Sequence, residues 1–388
     1  MVEWFDCRIA NLLMIFATQN FITIKQSNHS TIKQKIKMKK YLILIILITG
    51  FAFQAEAGNP DRQGQAGAYE LLLNPWARSA GLYGVGIGHV RGIEALRINP
   101  AGLVGVTRTE LNVAHTFYLQ GSDIGLNGLG IGQRISKNGV IGLTLMAVDF
   151  GEIPVTTVNQ PEGVGVTYEP LYFNLGIGYA HAFSERISVG FTTRLISEQS
   201  TSDVSAAGFC FDAGIQYQTG GLRIGISLRN IGTPIKMKGT GFAFSTNSPP
   251  SNLNPASGND AYTAETRIKA FDLPSVFNIG GGYDFKFAET QRISIMAAFV
   301  SNSFTKDQFG AGLEYAFNEM FMVRVGYRYE DGLLDDATRT NVHTGIAAGA
   351  TIQVPFGKNS DSNIGIDYSY KTTSPFNGTH AIGIRLGI

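Results

Sequence analysis

The chain predicts an all-β fold: a transmembrane outer-membrane β-barrel of about 14 antiparallel strands with a short N-terminal plug-like segment. Three observations predict it. The first is period-two hydrophobicity. In Leu171, Phe173, Leu175, Ile177, Tyr179 and Phe183 every second residue is large and apolar, with His181 alone breaking the series, and Asn174, Gly176, Gly178, Ala180 and Ala182 stand between them. Successive strand side chains point to opposite faces, so one face is apolar and the other small or polar. The second is that connections between such segments alternate between short and long, as in outer-membrane barrels. The third is a secretory signal ahead of the series: Lys39-Lys40, an apolar run from Tyr41 to Phe53, and Ala55-Glu56-Ala57 as cleavage site.

Met38 opens that signal as a translation start would. Residues 1–37 are therefore expected to be an upstream extension, the alternative being a genuine long leader, and residues 38–57 the signal peptide. The apolar run is too short for a spanning helix, which needs about 20 residues. The mature chain is expected to begin at Gly58. Beyond residue 57, Lys+Arg number 24 and Asp+Glu 27, a net charge of −3, which argues against a nucleic-acid partner. Glycine there is roughly twice its usual frequency of about 7%. Many of these glycines alternate along strands, where they suit close approach of other backbone. Cys210 is the only cysteine after the cleavage site, which excludes an internal disulfide and a lipid-anchored N-terminal cysteine.

The strand segments are 108–120, 123–136, 139–155, 171–184, 185–199, 206–219, 221–236, 271–285, 291–303, 307–318, 320–331, 341–354, 363–373 and 378–388. Ile187, Val189, Phe191 and Leu195 oppose Ser188, Gly190, Thr192 and Arg194. Leu222, Ile224, Ile226 and Leu228 oppose Arg223, Gly225, Ser227 and Arg229. Phe321, Val323, Val325, Tyr327 and Tyr329 oppose Arg324, Gly326 and Arg328, and Ile364, Ile366, Tyr368 and Tyr370 oppose Gly365, Asp367, Ser369 and Lys371. In 123–136 the parity slips near Asn127-Gly128, which reads as a bulge. Val325 should face lipid and Gly326 the lumen, where a serine is tolerated unless the plug packs there. Pro154 cannot donate to a ladder and marks one place where the wall would be interrupted.

Tight connections stand at 137–138, 184–185, 219–221, 288–290 and 318–319; longer ones at 156–170, 200–205, 237–270, 332–340 and 374–377. Short turns belong to the periplasmic side, so both termini are expected there, with the long loops outside. Gly121-Ser122 and 355–362 blur the rule. Phe183, Phe285, Phe287, Phe317 and Phe321 gather on the apolar face beside the short turns, like an interfacial girdle. A soluble sandwich or propeller also alternates, but the long strands, the girdle and the signal favour a membrane barrel. The loop 237–270, rich in Gly, Ser, Asn and Pro, is the candidate partner-binding loop. Residues 58–107 do not alternate and hold Trp76; their small-residue content fits a compact plug within a barrel of residues 108–388.

Ser79-Ala80-Gly81, then Gly92-Ile93-Glu94-Ala95-Leu96, then Asn99-Pro100-Ala101-Gly102-Leu103 together resemble the N-terminal signature of FadL-like outer-membrane proteins, and within them the PorV/PorQ family of the Bacteroidota. Asn99 to Leu103 is the sharp part. Two features depart from the family pattern: Glu94 is the only acidic residue just before the motif, and the chain ends in Ile388 rather than an aromatic residue. The resemblance implies one of two roles. One is a partner of the type IX secretion machinery that binds its large translocon barrel and cargo proteins. The other is a channel passing small hydrophobic or amphipathic molecules through a plugged lumen.

No catalytic, metal or cofactor motif is present. His89, His115, His181, His343 and His380 form no His-x-x-x-His pair. Gly84-Val85-Gly86-Ile87-Gly88 lacks both the spacing and the βαβ context of a nucleotide loop, and Asp335-Asp336 reads as a solvated pair. The chain is therefore not expected to be an enzyme. The candidate site residues are the inward-facing charges Arg194, Arg223, Arg229, Arg324, Arg328, Lys371 and Arg385, with Asp212, Asp284, Glu314 and Asp367. A charge on the lipid face at the midplane costs about 2–4 kcal/mol, so these point inward. They form either a salt-bridge network that holds the plug, or a polar conduit or anion site.

Overall fold

The computed structural model describes residues 58–247, 261–356 and 362–388. Alternation with small residues on one side gives long antiparallel strands. They close into a barrel because the last, β18 (Thr379–Gly387), pairs with the first, β1 (Thr109–Tyr118). The wall continues through β2 (Ile124–Arg134), β3 (Gly139–Asp149), β6 (Leu171–Ala182), β7 (Ile187–Thr201), β8 (Val204–Thr219) and β9 (Leu222–Gly232). It is completed by β12 (Val276–Ala288), β13 (Gln291–Asn302), β14 (Gln308–Phe317), β15 (Phe321–Glu330), β16 (His343–Pro355) and β17 (Asn363–Thr373). Two hairpins stand apart from the wall: β4 (Ile153–Pro154) with β5 (Thr167–Tyr168), and β10 (Ala243–Asn247) with β11 (Ala261–Glu265). The fourteen wall strands match the fourteen segments expected from alternation, and closure leaves no unpaired edge.

The outer face is apolar. Leu143, Phe191, Ile226, Val323 and Val325 all project from it, and Val325 is 45% exposed. A continuous exposed band of this kind is solvated by lipid rather than water; the chain is a membrane β-barrel. Phe183, Phe285, Phe287, Phe317 and Phe321 are exposed on the same face. The ends of β1 and β18 lie at the end of the barrel that carries the short turns, where the Thr109 amide donates to the Ile388 carbonyl at 3.0 Å.

Three expectations change. Strand β2 carries no bulge: its pairing with β1 and β3 is continuous through Asn127 and Gly128. The apparent slip arises because Leu126 points inward, into a cluster with Met146 and Val148, while Asn127 points outward and bonds His115 at 2.8 Å. Register does shift elsewhere in this half, between β7 and β8 at Gln199 and Thr201, and between β8 and β9 at Phe211 and Ala213. There Asn230 adopts a left-handed conformation, φ 58°, which asparagine tolerates better than most residues. Strand β3 ends at Asp149, so Pro154 lies in the β4–β5 hairpin and interrupts nothing in the wall. The connection 200–205 shrinks to residues 202 and 203, because β7 and β8 extend past their expected ends. The upstream extension 1–37 and the signal peptide 38–57 lie outside the described residues, as do residues 248–260 of the long loop.

Residues 58–107 run against the inward faces of the strands as short turns of helix: Tyr69–Leu72, Ala77–Ala80, Ile93–Arg97 and Pro100–Gly105. Ile93, Leu96, Leu103 and Val106 pack with Val140 and Ala180 of the wall; Leu82, Val85 and Ile87 pack with Met296 and Ala298. The apolar core therefore lies between this segment and the barrel.

Candidate functional site

The interior is built by hydrogen bonds running from wall side chains to carbonyls of the N-terminal segment. Gln216 Nε2 donates to the Ile87 and Val90 carbonyls at 3.0 and 3.1 Å, Ser227 Oγ to Ile98 at 2.8 Å, and Arg229 to Leu71 at 3.2 Å. Arg194 donates to the Leu96 carbonyl, and Arg328 to that of Tyr83. Short helical turns leave carbonyls without intrahelical partners, and the wall supplies the donors. In the opposite sense Glu110 of β1 accepts from the Ile93 amide at 2.9 Å.

The Asn99–Leu103 motif sits at the centre of this arrangement. Asn99, fully buried, caps the Pro100–Gly105 turn by accepting from the Ala101 amide at 3.2 Å. Pro100 occupies the first position of the turn, where its missing N–H costs nothing. The Asn99 amide then donates to the carbonyls of Ile87 and Ile215, both at 3.1 Å. It thus links its own segment to β8. Ala101, Gly102 and Leu103 are buried, Leu103 packing on Val140 and Ala180 of the wall, and a Cβ on Gly102 would meet Ala95 of its own segment at 2.9 Å.

The predicted lumen charges all face inward, and they fall into two groups and one separate pair. In the half nearer the termini they form a belt across adjacent strands. Arg223 meets Asp284 at 2.6 Å, Arg292 meets Asp284 at 3.8 Å and Glu314 at 3.0 Å, and Arg324 meets Glu314 at 3.1 Å. Arg324 also donates to Thr351 at 2.7 Å, Thr351 donates to Asp367, and Arg385 lies 3.9 Å from Asp367. Asp284, Ser294, Glu314 and Arg324 are directly opposite one another from strand to strand, the arrangement in which cross-strand pairs interact most. Arg194 forms a separate pair with Asp212, which also accepts from the Asn230 amide at 2.7 Å. Toward the long-loop end stand Arg229, Arg328 and Lys371, lining a cavity of about 340 Å³.

Sequence reasoning missed Arg292, Arg97 and Arg78. Arg292 shares parity with Ser294, Met296 and Ala298, a signal that identifies it as inward once the strand is accepted. Arg97 and Arg78 lie in the non-alternating segment, where no periodicity orients them. Burial raises the carboxyl of Glu70 to about 8, helped by the nearby Glu198 carboxylate. Burial likewise raises Glu94, with Arg78, 3.9 Å away, opposing it. Among the described residues no group of three or more His, Cys, Asp or Glu is placed to hold a metal ion.

Residues 171–386, from β6 to β18, match the model of the type IX secretion system membrane protein PorP/SprF family. The chain belongs to the PorP/SprF family. The match excludes residues 79–103, which carry the PorV/PorQ-like signature, so that signature and the family membership rest on different parts of this PorP/SprF chain. No curated protein sequence matches it significantly. Among solved structures, the CymD monoaromatic hydrocarbon channel is similar with a TM-score of 0.50 at 12% identity, over 80% of this chain and 95% of that one. The Pseudomonas putida toluene transporter TodX gives 0.48 at 12% identity, over 81% and 97%. A Pseudomonas aeruginosa FadL homologue gives 0.44 at 13%, over 81% and 96%. At these identities the CymD likeness speaks for the fold alone.

Proposed function

We propose that this PorP/SprF-family barrel is an outer-membrane partner protein in type IX secretion or surface protein assembly, acting by binding rather than catalysis. On this reading both termini and the short turns face the periplasm. Residues 58–107 serve as a plug, and the long loops engage a large translocon and its cargo. The family match over the barrel carries the secretion assignment. The packed interior favours a partner over an open conduit: Gly225 and Gly326 bring the wall against backbone of the segment, leaving no passage beside it at those points. A PorV/PorQ-like mode of cargo delivery is the finer form of the same proposal; the Asn99–Leu103 motif, which FadL-like barrels share more widely, is compatible with it. Affinity purification of the tagged chain from native membranes tests the proposal. A large outer-membrane barrel should co-purify, and recovery of the chain alone contradicts it.

One observation favours the alternative, a channel for small hydrophobic or amphipathic molecules. An apolar pocket of about 430 Å³ opens at the long-loop end between Leu73, Tyr118, Ile124, Val148, Phe150 and Tyr172. Loss of hydrocarbon uptake on deletion of the gene, with secretion intact, would select that reading.

A further inference from the structure

The cations inside this barrel are unequally neutralised. Arg223, Arg292, Arg324 and Arg385 all contact carboxylates of the belt. Arg97, Arg229, Arg328 and Lys371 share one cavity of about 340 Å³ at the long-loop end. Among the described residues none of these four makes an ion pair. Lys306 adds a fifth positive charge at the rim, 3.9 Å from Asp331. Among the described residues Glu330 is the only carboxylate lining the cavity, and it accepts from Gln308 at 2.7 Å.

The guanidiniums are held in place. Arg97 is tied to the Leu73 carbonyl at 2.7 Å and to Asn174 at 3.2 Å. The Tyr83 ring lies under both Arg328, at 4.8 Å, and Lys371, at 5.4 Å, a cation–π geometry that helps fix their positions. Yet the Nε atoms of Arg229 and Arg328 are buried without a hydrogen-bond partner among the described residues. Buried donors are ordinarily satisfied, and buried charges ordinarily paired. Here the complement to both deficits is the same: an acceptor that is also an anion.

The rest of the wall says what surrounds that anion. Asn74, Asn278, Asn302 and Asn341 line the cavity, each holding at least one hydrogen bond within the protein and keeping further donor or acceptor capacity, and Tyr69 and Tyr118 line it as well. An amide both donates and accepts, which suits hydroxyl groups, and a flat ring suits the C–H face of a sugar. The volume lies at the lower end of small-molecule sites, about 300–1,000 Å³. We propose that this cavity binds a small hydroxylated oxyanion, a sugar phosphate or sugar acid, with its phosphate or carboxylate between Arg229, Arg328 and Lys371. Arginine forks match both oxyanions in bidentate fashion. The site is independent of the secretion role.

Calorimetric titration of the purified barrel in zwitterionic detergent at low salt tests it, with glucose 6-phosphate, glucuronate, inorganic phosphate and glucose as probes. Glucose 6-phosphate or glucuronate should bind at least roughly tenfold more tightly than glucose, and added salt should weaken that binding. Lys371→Gln should reduce the affinity roughly tenfold or more. Among the described residues the lysine side chain makes the Tyr83 ring contact and no hydrogen bond or ion pair, so the variant should retain the fold, read as heat-modifiable gel mobility. Arg229→Gln should act in the same direction. Binding of neither sugar anion, equal binding of glucose, or an unchanged affinity in folded Lys371→Gln overturns the assignment. Inorganic phosphate binding as tightly as glucose 6-phosphate removes the sugar from it.

Discussion

A Cβ placed on Gly326 would stand 2.5 Å from the carbonyl oxygen of Leu82. The barrel wall and the N-terminal segment therefore meet backbone to backbone at β15, and the substitution Gly326→Ser, mild on an empty lumen face, is damaging here. Overpacking a core typically costs about 1–3 kcal/mol. We expect Gly326→Ser to lower the thermal midpoint of the folded barrel in heat-modifiable mobility. Val325→Arg, one residue away but facing lipid, should fail earlier, at assembly, since an arginine near the midplane costs about 2–4 kcal/mol. Normal assembly of Val325→Arg would invert the assignment of faces, because a one-residue slip exchanges them.

Asn99 combines a cap with two donor bonds to the Ile87 and Ile215 carbonyls. Asn99→Ala should destabilise the segment by about 1–3 kcal/mol. Asn99→Asp should be at least as damaging, although aspartate is a good cap at exposed turns, because its carboxylate would face two carbonyl oxygens. Limited proteolysis of the purified barrel, followed at cleavage within 58–107, reads the difference. Rescue by aspartate would show that only the cap matters.

Burial raises Glu70 to about 8, above its ordinary value of 4.5. Between those values the folded chain holds a proton that the unfolded chain releases, so the docked segment loses stability as pH rises through this window. The slope approaches on the order of 1 kcal/mol per pH unit for one such group. Glu70→Gln should flatten the dependence and make the segment more resistant to protease at pH 8 than wild type. An unchanged pH profile in Glu70→Gln would assign the dependence elsewhere.

How much of this was legible in the sequence differs by element. The fourteen wall strands were, because lipid outside and small or polar groups inside impose strict period two on Phe321–Tyr329 or Leu222–Leu228. The slip at Asn127 misled because Leu126 faces an apolar part of the lumen, so chemistry changed where register did not. The bulge at Asn230 was hidden because Asn230 lies inside the expected strand 221–236, where the alternation of Leu222–Leu228 gives way to two polar residues, Arg229 and Asn230, that do not mark a shift in register. The inward charges were identified, but not which of them pair: Asp284, Glu314 and Arg324 meet only through register between strands far apart in sequence. The unpaired set depends on Arg97 and Tyr83, whose positions no periodicity announces.

The β10–β11 hairpin projects from the long loop, with most of Ala243–Asn247 and Ala261–Glu265 exposed. Removing residues 243–265 should leave the barrel folded, since Met237, Phe271 and Leu273, which pack on Leu71 and Ile235, remain. Loops on a rigid scaffold tend to carry recognition, so the same deletion should abolish partner co-purification. Retained co-purification from a folded deletion variant would move the binding surface elsewhere.

The central claim is a role in type IX secretion, and export of cargo tests it most directly. In a strain lacking this chain, proteins bearing the C-terminal secretion signal should accumulate in the periplasm and return to the surface when the wild-type gene is restored. Undiminished surface delivery in the deletion strain, together with reduced uptake of a hydrophobic solute, would contradict the account and leave a channel in its place.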